Sequence, residues 1–363
     1  MVLTKLSIVN FKNIADASLD FCAGINCFIG NNGMGKTNLL DAIYYLSFCK
    51  SHTNAIDSQN VKHDEGFLML QGNYIHQQQE EEIYVGLKRG QKKLFKRNKN
   101  AYERISDHIG LIPLVLVSPS DAVLIDGGSD ERRKFIDGVL SQYDKKYLDC
   151  LLKYNHVLQQ RNALLKSNAV EETMYEVCEM QMAHFADYIY AQRTQFISQF
   201  LPVFQQYYVA IANVNEQVSI SYKSHIEDGD LTIQLKQSRA KDTLLGFTTK
   251  GIHKDELEFY LGDYLVKRVG SQGQNKTFLV ALKLAQFEFL KQVHACNPLL
   301  LLDDIFDKLD ANRVSKIIQM VSGDNFGQIF ITDTNREHLV SILQQLPQEN
   351  RIFLVNEDGI NKE

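Results

Sequence analysis

The stretch Gly30-Asn31-Asn32-Gly33-Met34-Gly35-Lys36-Thr37 decides how the rest of this chain is interpreted. It fits the pattern G-x-x-x-x-G-K-[ST], a loop whose backbone wraps the phosphates of a bound nucleotide. Glycine tolerates positive φ angles and allows close approach, and the exposed N–H groups of such a loop point at an anion. We therefore predict a phosphate-binding loop, with all of these residues as candidate nucleotide-binding positions.

Two side chains of this loop have distinct predicted roles. Lys36 places a point charge near the β and γ phosphates, and the Thr37 hydroxyl suits Mg²⁺. Residues 25–29 are typical of a short buried strand before the loop. Apolar residues recur at helical spacing behind it, namely Leu39, Leu40, Ile43 and Leu46. This strand–loop–helix context disfavours the alternative, which is a glycine turn in an ordinary loop.

The composition of the 363 residues is typical of a soluble globular protein, with 44% hydrophobic and 23% charged residues. This length predicts two or three domains of ordinary size. The longest aliphatic run, 299–302, is far too short to span a bilayer, and no signal peptide is recognisable, so we expect a cytosolic protein. Six scattered cysteines without a C-x-x-C motif argue against a zinc site or a disulfide framework and favour small buried side chains.

A second informative stretch is Asn297-Pro298-Leu299-Leu300-Leu301-Leu302-Asp303-Asp304. Consecutive leucines that end in acid predict a central parallel strand that is buried on both faces. The acids then lie at its carboxyl end, where ligands bind in open α/β sheets. We predict Asp303 as a ligand of Mg²⁺ or of its water, and Asp304 as the group that polarises the attacking water. Two carboxylates there are costly without a cation, which disfavours a purely structural helix cap.

The segment Gly270-Ser271-Gln272-Gly273-Gln274-Asn275-Lys276 opens a helix that we predict over about 276–293. Ser271, Gln272 and Gly273 at a helix N-terminus predict a second anion-binding site, and an ordinary N-cap is the alternative. The segment resembles the signature motif S-[GQ]-G-[QE] of the ABC ATPase superfamily, and Asp307-Lys308-Leu309-Asp310 is similar to its D-loop. The resemblance implies that the signature completes the ATP site of a second subunit, and hence an ATP-dependent homodimer.

The chain resembles the RecF family of bacterial recombination-mediator ATPases over essentially its whole length. The matching segments are 6–13, 38–43, 50–52, 118–121, 132–137, 251–256 and 271–274. The most specific one is Tyr154 together with Gln160-Arg161-Asn162-Ala163-Leu164-Leu165. The resemblance implies an α/β fold, an ABC-type ATPase head with a mixed P-loop sheet, interrupted by an inserted helical domain. We expect the head to comprise 1–121 and 246–363, and the insert 122–245, with long helices over 130–213.

The same resemblance implies an ATP-dependent DNA-binding protein of recombinational repair and replication restart. The implied ligands are ATP and Mg²⁺. The implied partners are double-stranded and gapped DNA, with single-stranded DNA as a further candidate, RecO- and RecR-like proteins, and RecA indirectly. Lys36, Asp303 and Asp304 are the candidate catalytic residues. Asp304 stands where ABC enzymes carry Glu, which implies slow hydrolysis suited to a switch, and Thr332 stands where they carry a switch histidine.

Charge is unevenly distributed along the chain, whose formal net charge is -5. An acidic total argues against a dedicated nucleic-acid binder, but a local basic patch still supplies phosphate contacts. One basic cluster comprises Lys88, Arg89, Lys92, Lys93, Lys96, Arg97 and Lys99, and a second comprises Arg132, Arg133 and Lys134. The first cluster is equally consistent with a solvated hairpin face.

Alternatives to this interpretation remain open at this point. One is an SMC-like DNA-bridging or nuclease-partner ATPase, which the short helical insert disfavours because such proteins carry far longer coiled-coil arms there. Another is a transporter ATPase, which needs a membrane partner. His253 is a separate question, because a position near nucleotide or DNA and a structural position in a hairpin both fit. We favour the structural position, since a lone histidine is rarely diagnostic.

Overall fold

The chain contains both strands and helices, and the computed structural model describes residues 1–167, 171–212, 216–305, 311–321, 326–343, 348–357 and 359–362. The strands are β1 (Val2–Phe11), β2 (Ile14–Asp20), β3 (Ile25–Ile29), β4 (Phe67–His76), β5 (Gln79–Lys88), β6 (Leu94–Arg97), β7 (Asn100–Ala101), β8 (Leu114–Val117), β9 (Val218–Lys223), β10 (Glu256–Leu261), β11 (Tyr264–Leu265), β12 (Leu299–Asp303), β13 (Ile329–Asp333), β14 (Asn350–Asn356) and β15 (Gly359–Lys362). The helices are α1 (Lys36–Phe48), α2 (Val123–Asp126), α3 (Ser129–Tyr143), α4 (Lys145–Leu165), α5 (Glu172–Ala212), α6 (Leu231–Leu245), α7 (Val266–Val269), α8 (Gln272–His294), α9 (Ala311–Val321) and α10 (Arg336–Leu343).

The chain forms two compact units. The first unit combines Met1–Asp121 with Lys283–Glu363, and the second unit comprises Ala122–Leu282. The division into a head of 1–121 and 246–363 and an insert of 122–245 stays a prediction, because compactness alone does not show which segments fold independently.

A six-stranded sheet in the first unit carries the phosphate-binding loop. Its order is β15-β14-β3-β13-β12-β8, and all neighbours are parallel except the edge pair of β14 and β15. Every residue of β3, β12 and β13 is buried, as is usual for strands of a parallel sheet. The prediction that the consecutive leucines form a central parallel strand is therefore confirmed.

The strand order brings the loop and the acids to the same edge of this sheet. β13 lies between β3 and β12. Because the three strands are parallel, the loop that follows β3 and the acids at the end of β12 lie at the carboxyl ends, where α/β proteins bind ligands. Thr332 on β13 pairs with Asp303 on one side and with Phe28 on the other.

A second sheet in the first unit is antiparallel throughout, in the order β2-β1-β4-β5-β6-β7. Residues of β4 and β5 alternate between more and less buried positions, which is the pattern of a sheet with one face on a core. Leu39, Ile43 and Leu46 of α1 belong to a core cluster that includes residues of both sheets. The predicted strands around 6–8 and 83–87 and the predicted helix behind the loop are confirmed.

The second unit consists mainly of helices, with a small antiparallel sheet in the order β11-β10-β9. The long helices predicted over 130–213 correspond to α3, α4 and α5, of which α5 has 41 residues. Gly262 and Asp263 form the turn between β10 and β11, and Gly262 takes a positive φ of 58° there. The predicted hairpin is confirmed, although β11 is only 2 residues long.

A buried ion-pair network joins three helices of the second unit. The fully buried Arg161 side chain of α4 donates to Asp242 of α6 at 2.7 Å and to Glu179 of α5 at 3.1 Å. It also donates to Thr248 Oγ1 at 2.9 Å. Removal of one member of a buried ion pair leaves an uncompensated charge and is strongly destabilising. Arg161, which lies in the segment most specific for the resembled family, therefore holds these three helices together.

The second basic cluster also belongs to this unit, and most of it is not a surface patch. Arg132 is buried and donates to the carbonyl oxygen of Leu257. Arg133 donates to the carbonyl oxygen of Asp255, and burial lowers the pKa of both guanidinium groups. Lys134 is exposed and pairs with acids of its own helix. The interpretation of this cluster as a basic patch is wrong for Arg132, whose donors are used by backbone carbonyl groups.

Two expectations from composition have structural counterparts. Along the described stretches of the chain, no helix is long and apolar enough to cross a membrane. The buried cysteines are Cys22, Cys27, Cys49, Cys150 and Cys178, whereas Cys296 is half-buried. For the buried ones, the interpretation as small apolar side chains is confirmed.

Candidate functional site

The backbone of the loop depends on its glycines. Gly33 and Gly35 take positive φ angles of 84° and 105°, which other residues rarely adopt. Gly30 meets a different constraint, because a Cβ atom on it would lie 2.1 Å from the carbonyl oxygen of Val355 on β14. Glycine at these three positions therefore permits both the tight loop and its close approach to the neighbouring strand.

The loop ends at an open helix N-terminus. α1 begins at Lys36, has no side-chain N-cap hydrogen bond at Gly35 and has no acidic residue in its first turn. Among the described residues, the backbone N–H groups of Gly33, Gly35, Lys36 and Thr37 have no protein acceptor. Unpaired N–H groups at the positive end of a helix dipole form an anion-binding site.

Lys36 is folded back across this loop. Its side chain is buried, and its ammonium group donates to the carbonyl oxygens of Gly30 at 2.8 Å and Asn31 at 3.1 Å. The charge thus lies inside the ring of backbone that the loop forms. This geometry is suited to binding the phosphate chain of a nucleotide, together with the exposed Asn31, Asn32 and Gly33 and the half-buried Met34.

The structure brings Thr37 and Asp303 together. The Thr37 hydroxyl donates to Asp303 Oδ1 at 3.0 Å. The Thr332 hydroxyl donates to the same oxygen at 2.8 Å. Asp303 is only 5% exposed, and burial raises the pKa of its carboxyl group, while the two hydroxyl groups favour the charged form. A cation at this place would favour the charged form further.

The donor set at this place consists of oxygen atoms, the Thr37 hydroxyl and the Asp303 carboxylate. Mg²⁺ is usually bound through one or two carboxylates and substrate phosphates rather than by a cage of protein ligands. Within the described ranges, no group of three or more His, Cys, Asp and Glu residues is arranged to hold a metal ion. The residues present therefore fit Mg²⁺ that arrives with a phosphate ligand.

Asp304 directly follows β12 and adopts a left-handed backbone conformation, with φ of 45°. Aspartate tolerates this region better than most residues. Its N–H group donates to the Thr332 hydroxyl at 3.0 Å. Asp304 is thus linked to Asp303 through one shared threonine. The predicted D-loop, Asp307-Lys308-Leu309-Asp310, lies outside the described residues.

Asn13, in the turn between β1 and β2, was not predicted as a site residue. Its amide donates to the Gly33 carbonyl oxygen at 3.5 Å, and its Oδ1 accepts from Asn38 at 2.7 Å. A Cβ atom on Gly35 would lie 2.8 Å from the Asn13 side chain. Asn13 therefore stabilises the loop through contacts with Gly33 and with Asn38 of α1. The only sequence signal was its place in one of the segments that carry the family resemblance.

Asp41 on α1 fixes the segment that follows this helix. Its carboxylate pairs with Lys12 and accepts from the Ser51 hydroxyl at 2.6 Å. The N–H group of His52 donates to the same carboxylate at 2.6 Å. The matching segment 50–52 is thereby tied to the loop helix, and burial lowers the pKa of the His52 ring.

Ser271, Gln272 and Gly273 belong to the second compact unit, where they open α8. The Ser271 hydroxyl accepts from the Gln274 N–H at 3.2 Å, and the Gln274 side chain accepts from the Ser271 N–H at 3.0 Å. This reciprocal pair is a capping box. It explains why α8 begins at Gln272 and not near residue 276, where the apolar periodicity placed it. Ser271 and Gln272 are exposed.

The first basic cluster is divided between paired and exposed residues. Lys93 pairs with Asp57 at 3.0 Å, and Arg97 pairs with Glu81. Arg89 donates to backbone carbonyl groups. The exposed lysines of the cluster, for which the described residues show no ion pair, are Lys88, Lys92 and Lys99. Only part of the cluster is therefore available for phosphate contacts.

His253 lies within the second unit, in a short helical turn. Its Nδ1 is 2.7 Å from the Tyr154 hydroxyl, and its Nε2 is 3.0 Å from the Thr248 carbonyl oxygen. Because a carbonyl group only accepts, Nε2 carries the proton and Nδ1 accepts from Tyr154. Burial lowers the pKa of His253 to about 4. These contacts support the structural interpretation of this histidine.

Relatives and solved structures match this chain over its full length, and a family model matches its first 246 residues. A family model described as an AAA ATPase domain matches residues 1–246. The DNA replication and repair protein RecF of Bacteroides thetaiotaomicron is 57% identical over an alignment of 364 positions, which covers 100% of this chain and 99% of the relative. A solved structure of the recombination mediator protein RecF-ATP in the RecFOR pathway is 29% identical, has a TM-score of 0.89, and is matched over 100% of this chain and 97% of that chain. An SMC head bound to the C-winged helix domain of ScpA shares the fold, at 14% identity and a TM-score of 0.61, over 100% of this chain and 98% of that chain.

The lowered pKa of His253 predicts a specific pH dependence of stability. The folded state favours the neutral ring, so this stabilisation is complete above the unfolded pKa of about 6.5 and is lost as the pH falls towards 4. We expect the difference in unfolding free energy between wild type and His253→Gln to shrink by up to about 3 kcal/mol between pH 7 and pH 4. Urea titrations of both proteins measure it, and a pH-independent difference would contradict the assignment.

Proposed function

The chain belongs to the RecF family of DNA replication and repair proteins, and we propose that it is an ATP-dependent DNA-binding protein of recombinational repair and replication restart. In this proposal it binds DNA at gaps, where single and double strands meet. It helps to load RecA together with RecO- and RecR-like partners. The likeness to relatives over the full chain supports this proposal.

One contact carries the nucleotide part of the proposal, the 3.0 Å hydrogen bond between the Thr37 hydroxyl and Asp303 Oδ1. It joins the phosphate-binding loop to the acid at the end of β12, two segments that are far apart in sequence. A hydroxyl and a carboxylate next to an open anion site suit a nucleotide that brings Mg²⁺ with its phosphates.

Each residue of the site has a role in the proposed reaction. The loop N–H groups and Lys36 bind the phosphate chain of ATP, and Thr37 and Asp303 hold Mg²⁺. When bound, Mg²⁺ neutralises charge on the phosphoryl group. Asp304 orients the attacking water by accepting its hydrogen bond. Its side chain is one methylene shorter than the Glu of ABC enzymes, so we expect slow hydrolysis, which suits a switch better than a motor.

Two copies of the chain complete each other's site in this proposal. Ser271, Gln272 and Gly273 open α8, and in the described part of the chain the N–H groups of Gln272 and Gly273 have no protein acceptor. Such a helix N-terminus suits a phosphate of the nucleotide that the second chain holds. Binding of ATP then closes the dimer on DNA, and hydrolysis reopens it.

We expect ATP with Mg²⁺ to convert the wild-type protein to a dimer. Lys36→Ala removes the charge that binds the phosphates, so we expect at least tenfold weaker ATP binding and no dimer. Ser271→Arg places a large side chain at the signature, so we expect ATP binding close to wild type but no dimer and no hydrolysis. Light scattering coupled to size-exclusion chromatography measures the mass, and equilibrium binding of a fluorescent ATP analogue measures the affinity.

A matched control for this experiment is Ser198→Arg, which places the same side chain at an exposed position of α5 in the same unit. It should dimerise and hydrolyse ATP as the wild type does. If Ser271→Arg also dimerises and hydrolyses normally, the signature does not act across a dimer interface.

We expect DNA binding to depend on ATP and to favour a gap. Gapped, duplex and single-stranded DNA of equal length should be compared by fluorescence anisotropy, with about tenfold tighter binding to the gapped form. The logarithm of each affinity should fall linearly with the logarithm of salt concentration, because phosphate contacts release counterions. Equal affinity for the three DNA forms would contradict the junction preference, and Lys36→Ala serves as the nucleotide-free control.

A further inference from the structure

Thr332 lies between the strand that precedes the phosphate-binding loop and the strand that ends in Asp303. It lies on β13, the strand between β3 and β12, and it pairs in register with Asp303. It is fully buried. Both hydrogen-bond partners of its hydroxyl group are protein groups.

The Thr332 hydroxyl contacts both acids at the end of β12. It donates to Asp303 Oδ1 at 2.8 Å and accepts from the Asp304 N–H at 3.0 Å. A backbone N–H group can only donate, so the direction of both hydrogen bonds is determined. One hydroxyl group thus orients the carboxylate of one acid and the backbone of the next.

The contact with Asp304 has a conformational consequence. Asp304 has a φ of 45°, in a region that residues other than glycine adopt infrequently and at some cost. A hydrogen bond from its N–H group to a buried hydroxyl stabilises this turn. The turn sets the direction in which the Asp304 side chain leaves the strand, and hence its distance from a bound phosphate.

We propose that Thr332 is a positioning residue for hydrolysis, which holds the Asp303 carboxylate and the Asp304 turn in place through a single hydroxyl group. This inference rests on the proposed ATPase function. Thr332 does not need to contact the nucleotide itself, because it acts through the two acids. Groups that orient metal ligands in this way typically contribute 10–100-fold to metal affinity or activity.

The test compares Thr332→Val, which keeps the branched shape, with Thr332→Ser, which keeps the hydroxyl. For Thr332→Val we expect kcat to fall about 10–100-fold and the Mg²⁺ concentration for half-maximal hydrolysis to rise, with ATP affinity within about threefold of wild type. Thr332→Ser should restore kcat and the Mg²⁺ requirement to within about threefold. The matched control is Ser47→Ala, which removes another buried hydroxyl of the same unit, bonded to the Ile112 carbonyl at 2.6 Å.

Amide hydrogen exchange at Asp304 without nucleotide gives a readout that does not depend on hydrolysis. The amide should exchange faster in Thr332→Val than in wild type, Thr332→Ser or Ser47→Ala. Unchanged exchange together with wild-type kcat and Mg²⁺ requirement in Thr332→Val would overturn the proposal, and so would equal losses in the Val and Ser variants. If the wild type hydrolyses no ATP, the proposed function fails, and the exchange rates still decide whether Thr332 holds the turn.

Discussion

The site depends on one constraint, that a carboxylate lies in a nearly buried position at the end of β12. Asp303 is 5% exposed, and burial of a charge is costly unless hydrogen bonds or an opposite charge compensate it. Thr37 and Thr332 supply hydrogen bonds to one of its oxygens. The Thr332 contact follows from the pairing of β13 with β12, and the Thr37 contact joins the helix after β3 to the end of β12. The order of the parallel strands therefore brings together the groups that form the site. A cation bound together with a phosphate ligand would further offset the cost of burying this carboxylate.

In the function that we propose, this arrangement serves a switch. The loop, Lys36 and Asp303 all belong to the first unit, where part-buried hydrogen bonds link Lys36 to the loop and Thr37 to Asp303. In the proposed cycle, the residues that respond to the γ-phosphate are those of the second copy, Ser271 to Gly273. Binding energy from ATP is then used to bring two chains together, and slow hydrolysis by the short side chain of Asp304 gives the closed state a long lifetime.

Local patterns predict the loop, the leucine strand and the long helices, because each follows from neighbouring residues. The contacts that complete them come from distant parts of the chain. Arg132 looks like a surface charge in sequence, but its partner Leu257 lies 125 residues away. The start of α8 at Gln272 depends on the capping box of Ser271 and Gln274, which the spacing of apolar residues does not reveal. Asn13 supports the loop only because β1 and β2 bring their turn to Gly33.

The central claim is that each ATP site is built from two chains, and mixing two inactive variants tests it most directly. Lys36→Ala lacks a working loop, and Ser271→Arg lacks a working signature. A mixed dimer contains one intact composite site, made from the loop of the second variant and the signature of the first. The account predicts that the mixture hydrolyses ATP well above either variant alone. A mixture no more active than the average of its components would contradict a shared site.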